Sequence, residues 1–286
     1  IYYLLNEHGK HISGKAGLVV AVNSTNITVA NLTLKNNVQG VIFAYTNDSR
    51  IENLNLDNHE WGILLVKSFN NVVSNNAISN CTYSIDLWIS GNNKLSQNQI
   101  IDSHDGIYTW RSNGNTIINN TISGNAGAGL RLDQSKLNEV AKNMISRNLE
   151  GIVLASCEKN VLKENVLNEN TRNLGVDGYS IENFLMEIDF SNTINGKPVY
   201  YLVNRKNMLV KAHESRASYV GLVNCTGVEI DGLNLTSNGQ GVLVAYTTNS
   251  SLKSLKVADN DEGIVLISSD IVTIENSSLK DNNYGV

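Results

Sequence analysis

Gly62-Ile63-Leu64-Leu65 is one copy of a short stretch that decides the fold: a glycine, a branched aliphatic residue, any residue and another apolar residue. The stretch returns about every 22 residues along most of the chain, sometimes with another residue in place of the glycine. A fixed period of this length is typical of repeat architectures, in which each repeat packs only on its neighbours. The other copies are Gly40-Val41-Ile42-Phe43, Ser84-Ile85-Asp86-Leu87, Gly106-Ile107-Tyr108-Thr109, Gly129-Leu130-Arg131-Leu132, Gly151-Ile152-Val153-Leu154, Asn173-Leu174-Gly175-Val176, Gly241-Val242-Leu243-Val244, Gly263-Ile264-Val265-Leu266 and Gly285-Val286.

A second pattern, asparagine followed two residues later by an aliphatic residue, occurs twice between successive glycine stretches, as in Asn93-Lys94-Leu95 and Asn98-Gln99-Ile100. Each coil therefore holds three short strands whose alternating apolar residues face an interior. Asparagine suits tight corners, and amides stacked in successive coils can bond one another. One such position is predicted to recur at Asn31, Asn53, Asn76, Asn98, Asn120, Asn143 and Asn165.

The competing structure is a helical repeat, but no segment has the i, i+3, i+4 apolar spacing that it requires. The sequence thus predicts an all-β fold, a right-handed single-stranded parallel β-helix with coils of about 22 residues. These coils resemble those of NosD-like proteins, whose superfamily includes carbohydrate-binding proteins and sugar hydrolases. The resemblance covers nearly the whole chain and is specific for the fold, but it is weak for function.

One segment interrupts the repeat, and it contains Asn195-Gly196 between two β-rich runs. Asn-Gly in that context predicts a hairpin. The surrounding Asn-Gly-Lys-Pro-x-Tyr-Tyr run resembles segments of archaeal surface proteins. A longer repeat of about 200 residues relates Ile1-Tyr2-Tyr3-Leu4-Leu5-Asn6 to Val199-Tyr200-Tyr201-Leu202-Val203-Asn204. We therefore expect a first β-helix block at 1–178, a hairpin or insertion at 179–220 and a second block from 221–286, and we expect the chain to be part of a longer tandem array.

The outward positions of the glycine strands carry polar and aromatic residues. If they point outward, successive coils place nine side chains on one face. Flat rings stack on sugar rings and carboxylates accept bonds from hydroxyls, so this face could bind sugar. A catalytic version would use Asp86 and Asp133 as paired carboxylates, and an ordinary surface patch or a contact between rods is the third reading. The nine residues are Trp61, Tyr83, Asp86, Trp88, Asp105, Tyr108, Trp110, Arg131 and Asp133.

Metal ligands are sparse. The cysteines Cys81, Cys157 and Cys225 are widely spaced, and we interpret them as small buried residues rather than as a disulfide or metal site. The five histidines are scattered; His8 and His11 could form a weak pair, but no third ligand is evident. The resemblance to NosD implies a role in copper-site maturation. This sequence contains no cluster of cysteine, histidine and methionine that would support that role. The sequence therefore predicts no cofactor.

Composition excludes two classes of partner. The net charge of −5 is scattered, which gives no basic surface for nucleic acid, and no apolar run is long enough to span a membrane. Asn-x-Ser/Thr sequons are numerous, and Asn47, Asn80 and Asn249 are the candidates for glycosylation at outer turns.

The expected function is that of a non-enzymatic extracellular or cell-surface structural protein, of a sheath, surface-layer, filament or adhesin type. It would associate with itself end to end or side by side, because open β-helix ends carry unpaired strand groups. The alternatives are a protein that binds or cleaves carbohydrate at the face around Trp88 and Trp110, and a periplasmic copper-maturation protein of the NosD kind.

Overall fold

The computed structural model describes residues 1–212 and 216–286, so His213 lies outside the described residues. The chain is all-β and winds as a parallel solenoid of about 12 turns with ~22-residue coils. The predicted fold class is therefore confirmed, while the right-handed sense of the coil stays a prediction. One turn of 3₁₀ helix, Ile181–Asn183, lies where the regular repeat is interrupted.

The coils form two stacks, defined by which strands pair. The first stack contains the strands of residues 2–194, and the second contains the strands of residues 197–280. The first stack has three faces, of which the glycine face carries the Gly-aliphatic stretches. Its strands are β1 (Tyr2–Leu5), β3 (Val19–Val22), β5 (Thr33–Ala44), β7 (Asn55–Val66), β10 (Tyr83–Trp88), β13 (Asp105–Trp110), β16 (Ala128–Asp133), β19 (Glu150–Ala155) and β22 (Arg172–Asp177).

The other two faces of the first stack are built from shorter strands. One contains β2 (His11–Ile12), β4 (Thr28–Ala30), β6 (Arg50–Glu52), β8 (Val72–Ser74), β11 (Lys94–Ser96), β14 (Thr116–Ile118), β17 (Glu139–Ala141), β20 (Val161–Lys163) and β23 (Glu187–Ile188). The other contains β9 (Ala77–Ser79), β12 (Gln99–Ile101), β15 (Thr121–Ser123), β18 (Met144–Ser146), β21 (Val166–Asn168) and β24 (Thr193–Ile194). Strands β5 and β7 are long enough to continue from this last face onto the glycine face.

The second stack repeats the three-faced arrangement over fewer coils. Its glycine strands are β25 (Lys197–Val203), β27 (Tyr219–Val223), β30 (Gln240–Ala245) and β33 (Glu262–Ile267). The remaining strands are β26 (Leu209–Lys211), β28 (Glu229–Asp231), β31 (Thr248–Lys253), β34 (Asp270–Glu275), β29 (Asn234–Thr236), β32 (Lys256–Ala258) and β35 (Ser278–Lys280).

The apolar positions of the glycine stretch fill the interior, as their alternation predicts. Ile63 and Leu65 are fully buried, and Ile63 pairs in register with Ile85 of the next coil. The glycine itself permits the coils to approach, because a Cβ added at Gly62 would lie 2.7 Å from the carbonyl oxygen of Ser84. Burial along this row of aliphatic side chains supplies the main driving force for stacking the coils.

Asparagine side chains form bonded ladders at the corners. The side-chain amide of Asn98 donates to Oδ1 of Asn120 at 2.9 Å and to the carbonyl oxygen of Val73 at 3.0 Å. The backbone N–H of Asn98 donates to the same Oδ1 at 3.0 Å. Each buried amide therefore satisfies polar groups in the coils on both sides, which a corner without water requires.

The predicted ladder is wrong for Asn31 and Asn53. Both are exposed and have left-handed backbones, with φ of 57° and 55°. Leu32 and Leu54 occupy the buried corner position in those coils, and the backbone N–H of Leu54 donates to Oδ1 of Asn76 at 3.0 Å. In the first coils, asparagine therefore supplies the left-handed corner but not the buried amide.

The predicted hairpin at Asn195-Gly196 is confirmed. Both residues have positive φ, of 50° and 75°, and they connect β24 to β25 as an antiparallel pair. Beyond the hairpin, β25 pairs in parallel with β27 and so belongs to the second stack. The division into 1–178, 179–220 and 221–286 stays a prediction.

The second stack docks on the end of the first through main-chain hydrogen bonds. Asn173 donates to the carbonyl oxygen of Ser237 at 2.7 Å, and Gly239 donates to that of Leu174 at 2.8 Å. The approach is so close that a Cβ on Gly239 would lie 2.8 Å from Cα of Gly175. Residues more than sixty positions apart therefore meet at this junction.

Candidate functional site

Strand register brings the outward residues of the glycine face into three ladders. Because β-helix coils stack in register, residues one period apart become lateral neighbours. The first ladder runs Trp61, Tyr83, Asp105; the second runs Asp86, Tyr108, Arg131; the third runs Trp88, Trp110, Asp133. The nine residues singled out in the sequence therefore share one face of the first stack.

A groove crosses this face over four successive coils. Five of the nine residues line it, namely Tyr83, Asp105, Tyr108, Arg131 and Asp133. Sequence reasoning missed four other lining residues, which are His104, Gly127, Ala128 and Glu150. Glu150 precedes its glycine by one residue, as Asp105 and Ala128 precede theirs, so following that column two coils beyond Asp105 would have found it.

Asp86 and Trp61 do not line the groove. Asp86 is only 2% exposed, and its Oδ1 has no hydrogen-bond partner among the described residues. Burial raises the pKa of Asp86 to about 7, the negative charge of Asp105 adds to the shift, and the Trp61 indole opposes it. The indole N–H of Trp61 has no hydrogen-bond partner of standard geometry among the described residues. Its ring stacks on Tyr83 with centroids 5.8 Å apart and planes at 21°.

Trp88 and Trp110 lie in the third ladder, outside the groove lining. The Trp110 ring is covered by the Arg111 guanidinium, whose central carbon is 4.7 Å from the ring centroid. A cation over an aromatic face is a favourable contact, so this ring already has a partner. The two tryptophans, on which the sequence-based sugar site was centred, are therefore peripheral to the groove.

The groove walls are held by charged contacts. Asp105 accepts a hydrogen bond from the backbone N–H of Ala128 at 2.9 Å, and its other oxygen lies 3.3 Å from Nδ1 of His104. Arg131 and Asp133 approach to 4.0 Å. Burial raises the pKa of Tyr108 and Asp133 raises it further, while Arg131 lowers it, so the phenol stays a neutral donor near neutral pH.

Glu150 lines both the groove and a cavity at the junction of the two stacks. Arg172 crosses this cavity, with one nitrogen 2.8 Å from Asp261 and another 3.8 Å from Glu150. Burial raises the pKa of Asp177, and nearby carboxylates, Glu262 first, raise it further. The junction cavity is lined by Glu150, Val153, Arg172, Gly175, Asp177, Gly239, Gln240, Asp261 and Glu262.

The side chains do not form a copper site in the described ranges 1–212 and 216–286. No three histidine, cysteine, aspartate or glutamate side chains there are grouped so that they could hold a metal ion. The three cysteines are free and buried in separate coils, and burial raises the pKa of both Cys81 and Cys157 to about 11. The two ring nitrogens of His59 lie 3.0 and 3.1 Å from the carbonyl oxygens of Asn37 and Leu34. The cysteine thiols are therefore protonated near neutral pH, and both ring nitrogens of His59 already face carbonyl oxygens. Neither kind of ligand is suited to copper.

The three candidate glycosylation sites differ in exposure. Asn80 and Asn249 are exposed at left-handed corners, with φ of 54° and 48°. Asn47 is half-buried, and its side-chain oxygen accepts a bond from the backbone N–H of Phe69 at 2.8 Å. Glycosylation at any of the three stays a prediction. No helix in the described residues is both long and apolar enough to cross a membrane.

Stacked parallel coils with three faces, and a polar groove across one of them, define a parallel β-helix protein. The family follows from the sequence: the model described as "Periplasmic copper-binding protein (NosD)" matches residues 6–199, and the chain belongs to that family. No curated protein sequence matches the chain.

Among solved structures, a double mutant of the periplasmic alginate epimerase AlgG is similar, with a TM-score of 0.53 and 14% identity over 97% of this chain and 71% of that one. PfbA, a surface adhesin of Streptococcus pneumoniae, has a TM-score of 0.48 and 12% identity, over 98% of this chain and 76% of that one. The catalytic domain of a GH87 alpha-1,3-glucanase has a TM-score of 0.48 and 13% identity, over 95% and 61%. At these identities the AlgG likeness supports the fold alone.

Proposed function

We propose that this protein binds an extended glycan in the groove of the first stack. The observation that carries the proposal is the groove itself, which spans four coils and is lined by two tyrosines and four charged residues: Tyr83, Tyr108, Asp105, Arg131, Asp133 and Glu150. Four coils correspond to about 14 Å between the outermost strands, at the usual spacing of about 4.8 Å. Such a length suits an oligomer rather than a single small molecule.

The lining provides the two kinds of contact that sugars use. Aromatic rings offer flat apolar surfaces with a polar tip, and Tyr83 is held in place by its stack on Trp61. Carboxylates and the guanidinium offer hydrogen bonds to hydroxyl groups, and charge-assisted bonds are the stronger kind. Because Asp105 and Arg131 already have partners within the protein, the groove is ordered before a ligand arrives.

Binding is favoured over cleavage. Glycoside hydrolysis by paired carboxyls requires one of them to protonate the leaving oxygen while the other acts on the sugar. Asp86 has a pKa suited to donating a proton, but its side chain is buried and does not line the groove. Asp105 and Asp133 reach the groove, but each already accepts a contact from a neighbouring protein group. We therefore propose a non-enzymatic protein.

The groove proposal predicts that Tyr108→Ala lowers glycan affinity by about tenfold or more, because it removes a central ring and its hydroxyl. A glycan array would first identify ligands, and calorimetric titration would then compare the variant with the wild type. Tyr179→Ala, at an exposed tyrosine outside the groove, is the matched control and should bind normally. The proposal fails if no glycan binds or if Tyr108→Ala binds as well as the wild type, and release of reducing sugar would contradict the non-enzymatic reading.

A structural role outside the cell, as a self-associating β-helix, is the second candidate. It is supported by apolar side chains that are exposed along the coils: Val38 is 61%, Leu137 is 64% and Met144 is 59% exposed. A contact with another copy would remove such side chains from water. The family description places its members in the periplasm, which also lies outside the cytoplasm.

Self-association predicts that the sedimentation coefficient rises with protein concentration and that electron micrographs show rods longer than one chain. Leu137→Lys should weaken the association, because a charge replaces an apolar side chain that the contact would bury. Lys35→Arg, which keeps the charge of an exposed residue, is the control. If the protein is monomeric at every concentration, the structural role is contradicted, and the groove proposal is unaffected.

A further inference from the structure

The groove and the junction cavity carry a strong excess of negative charge. Six carboxylates and two guanidinium groups line the groove and the cavity, which share Glu150, and His104 is the one histidine in these linings. Both guanidinium groups are already paired, Arg131 with Asp133 and Arg172 with Asp261 and Glu150. An anionic ligand would therefore meet unpaired carboxylates, while finding no unpaired guanidinium among the residues that line these spaces.

The geometry of the junction cavity adds to this excess of negative charge. Gln240 is 3% exposed and its side-chain amide lies 3.3 Å from Asp177 and 3.1 Å from Glu262, so one neutral donor is shared between two carboxylates. The Gln240 side-chain oxygen is bonded to the backbone N–H of Val176 at 3.0 Å, which fixes the amide in place. Among the described residues, Asp177 and Glu262 form no ion pair at this cavity. Burial raises the pKa of Asp177, and the negative charge of Glu262 raises it further.

We propose that the ligand is a glycan bearing primary amines, that is, a polymer of unacetylated amino sugars, and that the groove discriminates against polymers of uronic acids. This inference rests on the proposed glycan-binding function and specifies its ligand class. Ammonium groups on the sugar compensate the excess carboxylates, whereas uronate carboxylates repel them. Specificity then arises from both the attraction and the repulsion.

The test compares three oligomers of equal length: glucosamine, N-acetylglucosamine and a hexuronic acid. Titration near neutral pH should show the glucosamine oligomer binding about tenfold or more tightly than its acetylated counterpart, and the uronate binding weakest. Added salt should reduce the preference, because it screens charges in a partly open groove.

The double variant Asp105→Asn with Glu262→Gln removes two negative charges and keeps oxygen atoms that can accept bonds. It should lose most of the preference for the amine. Asp48→Asn with Asp259→Asn removes the same charge at exposed left-handed corners away from the groove, where asparagine fits, and should keep the preference.

The outcomes separate the two proposals. If none of the oligomers binds and a glycan array is also blank, the proposed function fails. If the uronate or the acetylated oligomer binds as well as glucosamine, or if both double variants lose the preference equally, the glycan site stands but the inference on amines is overturned.

Discussion

Replacing Asp86 by asparagine should raise the free energy of unfolding at about pH 8 by as much as about 4 kcal/mol, with almost no gain at about pH 4. The reason is the buried carboxyl. Its pKa rises from 3.8 to about 7 in the fold, chiefly through burial, and its Oδ1 has no partner among the described residues. Asparagine keeps the shape of the side chain without the charge.

The sign of the pH dependence follows from which state holds the proton. Between about pH 4 and pH 7 the folded state keeps the Asp86 proton while the unfolded state releases it. Folding stability therefore decreases as pH rises through that range and stays low above the folded pKa. The wild type and the variant should be equally stable below the range and differ most above it.

Urea denaturation at the two pH values checks this expectation. Asp259→Asn removes a carboxylate from an exposed corner and should change stability by less than about 0.5 kcal/mol at either pH. A gain for Asp86→Asn that is the same at pH 4 and pH 8 would show that burial of the charge is not the cause.

The glycine face could be predicted from the sequence almost residue by residue. Most strands there repeat glycine, or a residue in its place, and two inward apolar residues, so the period fixes both the register and the inward face. Ile63, Ile85 and Ile107 accordingly lie side by side. The outward columns follow from the same register, which is why Tyr108 and Arg131 could be predicted to be neighbours.

The role of each corner asparagine was harder to predict from the sequence, because one residue type serves two physical roles. At Asn75-Asn76 the first asparagine takes the left-handed backbone and the side-chain amide of the second donates to Oδ1 of Asn98 in the ladder. Where only one asparagine is present, as at Asn53, composition does not tell which role it fills. The structure assigns it to the exposed corner, with Leu54 inside.

The groove was only partly predictable for a different reason. A ladder identifies which residues are neighbours within one stack. Whether a side chain reaches the surface depends on how the neighbouring side chains cover it. Asp86 and Tyr108 belong to the same ladder, but only Tyr108 reaches the groove. The junction cavity joins Arg172 to Asp261, and no local pattern links residues so far apart in the chain.

Asn120→Ala tests the ladder that holds the coils together and should lower the free energy of unfolding by about 3–5 kcal/mol. The Asn120 amide donates to the carbonyl oxygen of Leu95 and to Oδ1 of Asn143, both at 3.0 Å. Its own oxygen accepts bonds from the backbone and side chain of Asn98. Alanine leaves several of these buried groups without partners, and each unsatisfied group costs about 1–3 kcal/mol.

The adjacent residue provides a sharp control for this effect. Asn119 is exposed and has a left-handed backbone, with φ of 57°, so Asn119→Gly keeps the corner and removes no buried bond. It should cost less than about 1 kcal/mol in the same denaturation experiment. If the two variants are equally stable, the corner asparagines act through backbone conformation alone. A large loss confined to Asn120→Ala would show instead that the amide ladder is needed because inter-coil polar groups at this corner have no water to bind.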